Sequence, residues 1–350
     1  MPVLLAVAAA GLLTGFSVAW IGLHIGGLKR TRDVDDAVTA LAALIAAALC
    51  ARAGVRHHGR MRVFWTLLAG ACLCWSAAEI TWGVYDVIMH VAVPVPSWAD
   101  VGYLSAIPVA ILGLLSLPAI PRTARLRIRW LLDSLIVATS LAFLSWGLVL
   151  GPVWHSTDLS TLGGVVALAY PFGDVMMVFF IILALRRMTG GETLALWFLF
   201  GGLLLMALSD STYSYLTTTN SYSSGGLIDV GWIAAYLMIG LAGFASDPSR
   251  ATVTRAAAAR APSLTSFFAP FVPAFMALAT VGIKLQLGDT LDTAATAFAF
   301  GLIVLVLVRQ ALLARELMGA GDTADAGHVI SLIQLALGRD KPRTAQAERL

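Results

Sequence analysis

The chain is 350 residues long, 59% hydrophobic and only 12% charged, with a mean hydropathy of +0.85. So much apolar surface with so little charge excludes a water-soluble globular protein and points to an integral membrane protein. A net charge of only +3, with most aromatics inside apolar runs rather than beside basic residues, excludes a nucleic-acid-binding surface.

A helix that crosses a bilayer takes about 20 mostly apolar residues. Such runs lie near 2–25, 36–53, 63–85, 99–119, 130–150, 161–185, 194–216, 227–245, 264–286 and 293–312. The expected fold is therefore all-α: a polytopic membrane bundle of about ten spans, occupying residues 1–316. The first run lacks a basic stretch ahead of it and is too long for a signal peptide, so it reads as a retained span. The second is short and Ala-rich, and the sixth holds Tyr170-Pro171-Phe172-Gly173-Asp174. Proline removes one helical hydrogen bond and glycine loosens the next turn, so Pro171 and Gly173 are the expected hinge of a kinked or broken span.

Arginines cluster at 52–62, 122–129, 186–187 and 250–260, while 86–98, 151–160, 217–226 and 287–292 are almost free of Lys and Arg. By the positive-inside rule the first set faces the cytoplasm, giving a multi-pass plasma-membrane protein with both termini inside. One loop opposes this: Lys29, Arg30 and Arg32 would lie outside, beside Asp33, Asp35 and Asp36, so either these acids blunt the signal or one of the first two spans is not a full crossing. Residues 317–350 read as a short cytoplasmic tail with an amphipathic helix over 327–338 and a disordered end.

The spans repeat. Laying 64–85 over 196–215 brings Gly70 onto Gly201, Glu79 onto Asp210 and Trp82 onto Tyr213. The spans that follow open with Asp100-Val-Gly-Tyr103 and Asp229-Val-Gly-Trp232, and they end at Leu117-Pro118 and Asp247-Pro248. The core thus reads as helical hairpins in parallel repetition, near 64–118 and 196–248, with a looser copy near 130–187.

Carboxyl groups within spans are costly to insert and mark cavities, partners or function. Asp133, close behind the Arg122–Arg129 cluster, reads as an interfacial salt bridge. Glu79, Asp100, Asp174, Asp210 and Asp229 converge instead on one half of the membrane. Four carry an aromatic three residues on, and so on the same helix face: Trp82, Tyr103, Tyr213 and Trp232. Trp75 and Tyr236 extend two of these faces. Together with Tyr170 they suggest an outward-facing pocket for a small cationic or amphipathic ligand. The same residues also have a structural reading: Asp100 and Asp229 as helix N-caps, the aromatics as an interfacial belt, and the deeper acids as bundle-holding hydrogen-bond partners.

No catalytic constellation, metal set or cofactor motif stands out. Gly201-Gly202 and Gly225-Gly226 lack the lysine and strand context of a phosphate loop. Cys72 and Cys74 point in separate directions on one helix and, with Cys50, read as packing residues. His57-His58 reads as solvated loop, and His90 and His155 as single external residues.

The stretches Ala169-Tyr-Pro-Phe-Gly-Asp-Val175, Leu208–Gly243 and Leu305-Val-Leu-Val-Arg-Gln-Ala-Leu-Leu-Ala-Arg-Glu316 resemble the N-terminal multi-span sensory region of actinobacterial GGDEF/EAL proteins of cyclic di-GMP signalling. The resemblance implies a sensing module whose last span continues towards an output domain. No GGDEF or EAL segment follows Glu316 here, so cyclase activity is not implied. The expected function is a sensor-like membrane protein, not itself an enzyme, signalling through 303–317 to a cytoplasmic signalling enzyme or a second copy in a homodimer. The alternative is a small secondary transporter coupled to protons or cations through its intramembrane carboxylates. A membrane-embedded enzyme acting on lipid lacks catalytic residues at usable spacing.

Overall fold

A computed structural model describes residues 1–94, 96–117, 124–156, 162–187, 193–218, 221–248, 271–286, 288 and 290–336. Among these it is helical, without strands. The helices are α1 (Pro2–Gly22), α2 (Leu28–Arg56), α3 (Gly59–Gly83), α4 (Trp98–Ser116), α5 (Ala124–Ser145), α6 (Gly151–Ser156), α7 (Leu162–Arg187), α8 (Thr193–Thr218), α9 (Asp229–Ala245), α10 (Phe271–Gln286) and α11 (Thr293–Ala336). Eight are long and apolar enough to cross a membrane, α5 doing so with the π-helical turn Trp146–Leu150 that follows it. Apolar stretches within α9 and α10 are shorter. Every span read from the sequence has its helix, and the protein is a multi-pass membrane helical bundle. The arginine-rich loop 250–260, Arg122, Pro118 and the chain beyond 336 lie outside the described residues.

Three expectations need correction. Lys29–Asp36 is not a loop: it forms the first turns of α2. A charged run without proline or glycine does not stop a helix, whereas Gly26 and Gly27, both at positive φ, reverse the chain just before it. At 29 residues α2 is roughly 44 Å long and exceeds a 30 Å hydrocarbon core, so its charged start has room at the interface. Next, α7 runs unbroken through Pro171. Gly173 is a close-packing position, since a Cβ there would collide with Ile107 of α4. Finally, α11 does not end near 316 but continues for 44 residues, roughly 66 Å, to Ala336.

Six helices pack in a closed ring: α2 on α3, α3 on α4, α4 on α7, α7 on α8, α8 on α9, and α9 back on α2. The order divides into two three-helix units, α2-α3-α4 and α7-α8-α9. Each hairpin read from the sequence is thus preceded in the ring by one more helix, α2 before α3-α4 and α7 before α8-α9. Trp82 and Tyr213, equivalent by the sequence alignment, meet edge to face at 6.4 Å, as equivalent residues beside a pseudo-twofold axis do. α9 is buried around most of its circumference, enclosed by α8, α2 and α1, which accounts for its apolarity on all sides.

The Asp-Val-Gly-aromatic motif is explained by this packing. A Cβ on Gly102 would sit 2.9 Å from the Cys74 carbonyl oxygen and from Ala78 on α3, and one on Gly231 would collide with Ser209 on α8. The glycine lets each motif helix close against the preceding one. Cys50, Cys72 and Cys74 are free thiols, the first two buried in the core. His57 is no solvated loop residue: it is 5% exposed, bonded to the Ala53 carbonyl and to Ser246.

α5, α10 and α11 form a second, smaller apolar cluster around Ile136, Phe143 and Leu302. Asp133 pairs with the buried Arg309 of α11, at 3.0 Å. At the other end Asp292 caps α11, accepting from the Ala295 amide at 2.7 Å. It also accepts from the Trp146 indole at 2.9 Å and faces His155 at 3.3 Å. These contacts, the Ala295 amide foremost, hold its carboxyl below the usual range. A depressed folded-state value stabilises above the unfolded one, near 3.9, and that contribution is lost as pH falls below it. Asp292→Ala is expected to cost about 1 kcal/mol at neutral pH, read as a lower Tm with altered Trp146 fluorescence. An unchanged Tm would mean that the cap does not hold α11.

Candidate functional site

The ring encloses a cavity of about 280 Å³. All ten residues expected to form a ligand pocket line it: Glu79, Trp82, Asp100, Tyr103, Tyr170, Asp174, Asp210, Tyr213, Asp229 and Trp232. Pro171 and Gly173 do not. Because short links make consecutive helices antiparallel, acids near the ends of α3 and α8 meet acids near the starts of α2, α4 and α9.

Glu79 and Asp210 are each held by an aromatic donor from α9. Trp232 of α9 donates its indole N–H to Asp210 of α8 at 2.6 Å. Tyr103 of α4 faces Glu79 of α3 in the equivalent place, where Tyr236 of α9 donates its hydroxyl to Oε1 at 2.8 Å. Trp232, the aromatic of the second motif, is thus a donor as well as a wall.

The helix-start acids answer the N-cap question differently. Asp100 completes a capping box with Ser97, whose amide donates to Oδ2 at 2.5 Å. Its other oxygen accepts the Tyr170 hydroxyl from α7 at 2.5 Å, so Asp100 serves both cap and cavity. Asp229 does not cap α9. It closes the preceding turn instead, accepting the Gly225 and Gly226 amides at 2.8 and 3.0 Å and the Tyr222 hydroxyl at 3.3 Å. Burial, and then the Asp229 charge, push the Tyr222 hydroxyl well above the usual phenol range, so it stays a donor.

Two acids were not singled out from the sequence as pocket residues. Asp35 and Asp36, taken there as loop charges, line the cavity from α2, as does Thr39. Their signal lay in the spacing: stepping back from Cys50 through Ala46 and Ala42 lands on Thr39 and Asp35, all buried on one face. Tyr222 and Ser97 escaped notice because loops carry no periodicity.

Asp35 lies against Asp229, and Asp174 against Asp210, carboxyl to carboxyl. Asp35 Oδ1 and Asp174 Oδ2 receive no hydrogen bond, although each residue is only 4% exposed. A facing pair of acceptors asks for a proton or a cation between its oxygens. In all, seven carboxyl groups and eight aromatic rings line the cavity, and among the described residues no Lys, Arg or His does. The aromatics are packed together rather than spread along a belt: Tyr213 meets Trp82, Tyr222 and Trp232, and Tyr103 meets Tyr170. The described residues hold no group of three or more His, Cys, Asp or Glu arranged for a metal ion.

Comparison of the chain with protein-family models, with curated proteins and with solved structures returns no match in any of the three.

Proposed function

We propose that this protein is a membrane receptor for a small organic cation, with the ring cavity as ligand site and α11 as output. The observation that carries the reading is the cavity lining of seven acids and eight aromatics without a basic side chain. A cation entering it exchanges water for carboxylates and ring faces, whose attraction is stronger in a dry site than in bulk.

α5 packs on α7, a wall of the ring, and also on α11, which gives a contiguous route from cavity to output helix. A ligand that prefers one packing of the ring shifts the population only by its difference in affinity between the two. The resemblance to sensory regions of GGDEF/EAL proteins supports the same assignment. On that reading the protein sits in the plasma membrane, takes its ligand from outside and engages a cytoplasmic signalling enzyme, or a second copy of itself, through α11.

A secondary transporter is the second reading. The facing pairs Asp35–Asp229 and Asp174–Asp210 favour it, since proton-coupled carriers need carboxyls that exchange a proton for a cation.

The test uses purified protein in detergent, titrated with n-alkylammonium ions and with the alcohols of the same chain length. The ammonium ions should raise Tm, by the equivalent of about 2.7 kcal/mol at a hundredfold excess over Kd, and the alcohols should not. Equal effects of both would overturn the cationic site. Uptake of the bound cation into proteoliposomes under a proton gradient would decide for the transporter.

A further inference from the structure

The proposed function asks only for a cation; the doubled architecture specifies more. Each three-helix unit contributes the same acidic half-site. Glu79 and Asp100 form one, and their equivalents Asp210 and Asp229 form the other. In each, the deeper acid faces the motif aromatic of the next helix, Tyr103 or Trp232. In each, the helix-start acid is met by a residue on the first helix of the other unit: Tyr170 for Asp100, Asp35 for Asp229. The half-sites therefore interlock around one cavity, with Trp82 and Tyr213 in contact between them.

A ligand with a single charge can satisfy one half-site and leaves the other with uncompensated carboxylates. A ligand with a charge at each end and an apolar middle satisfies both, and lays its middle on the Trp82–Tyr213 pair. Unbonded carboxyl oxygens line the same cavity: Asp35 Oδ1 and Asp174 Oδ2, both against the second half-site's Asp229 and Asp210, and Asp36 Oδ2 on α2. These buried acceptors take either a proton shared within a pair or donors from a ligand, and primary ammonium groups, with three N–H donors each, supply the latter.

We infer that the ligand is a linear organic dication or polycation of the α,ω-diamine class, bound across the two half-sites with its methylene chain against Trp82 and Tyr213. This inference rests on the proposed cation site and deepens it.

The experiment measures the affinity of purified wild-type protein, by calorimetry or displacement, for α,ω-diaminoalkanes from propane to octane and for n-alkylamines of matching length. The diamines should bind at least about tenfold tighter than their monoamines, with an optimum at one chain length. Glu79→Gln and Asp210→Asn, checked for monodisperse elution, should each remove that preference, leaving diamine and monoamine alike. Monoamines and diamines binding equally to the wild type would overturn the dication and leave the cation site standing. Failure of every amine to bind would overturn both. Because the chain-length series needs no variant, the inference stays testable even where a substitution disturbs folding.

Discussion

Asp174→Asn is expected to strengthen the ligand-free protein and weaken its hold on a cation at the same time. In the native chain the Asp174 carboxyl faces the Asp210 carboxyl from a site only 4% exposed, and one of its oxygens has no donor. An amide of the same size offers Asp210 an N–H, and a hydrogen bond to a charged group is worth about 2 kcal/mol. Ligand-free Tm should therefore rise by a few degrees. Cation binding loses a buried carboxylate partner, a change that costs about 2–5 kcal/mol at desolvated charge pairs, or a hundredfold or more in Kd near the middle of that range. The opposite movement of stability and affinity separates a functional acid from a structural one. A variant with lower Tm and unchanged affinity would make Asp174 a bundle-holding residue and remove it from the site.

Gly243→Ala should be the most damaging single-methyl change in the ring. Gly243 lies on α9 where it crosses α2, and an added Cβ would sit 2.8 Å from the Cys50 amide and the Leu49 carbonyl group. Those are backbone atoms, which no rotamer change can move aside. The helices must separate along the seam that joins the two units, at a cost of about 3 kcal/mol or more. Gly102→Ala, facing the Cys74 carbonyl at 2.9 Å, should follow closely. The internal control is Gly282 of α10, where nothing lies within 4 Å of a Cβ. Alanine there should gain roughly 0.5–1 kcal/mol from helix propensity alone. Tm of the three variants in one detergent checks the order, and a Gly243→Ala protein as stable as the Gly282→Ala protein would contradict the seam.

The spans and the pocket acids were legible because both obey simple physics. Apolar runs of bilayer length announce themselves, and a carboxyl group inside one needs a reason. The aromatics three residues on shared a face with their acids, and so shared a cavity. What escaped was set by tertiary packing. Asp35 and Asp36 sit in a charged stretch indistinguishable by composition from a loop, and only the Asp35–Thr39–Ala42–Ala46 stripe ties them to the buried face. The shared place of α2 and α7 at the head of each unit was hidden because they bring different residues to the cavity, Asp35 and Thr39 from α2 and Tyr170 and Asp174 from α7. Pro171 did not break its span: α7 stays one 26-residue helix, packed against α4 and α8, despite the lost hydrogen bond. The continuation of α11 to Ala336 was obscured by Gly319 and Gly321, which a long helix tolerates at modest cost.

The place of α5 in the chain has a consequence of parity. A unit of three crossings delivers the chain to the opposite side of the bilayer from where it began. Two such units joined directly would be mounted upside down relative to each other, with Glu79 and Asp100 near one surface and Asp210 and Asp229 near the other. One additional crossing restores the starting side, and α5, which belongs to neither unit and packs mainly with α10 and α11, is that crossing. Its sequence is thereby free of any pocket duty. What it cannot do is disappear: without an odd spacer the two sets of carboxyls would never share a cavity.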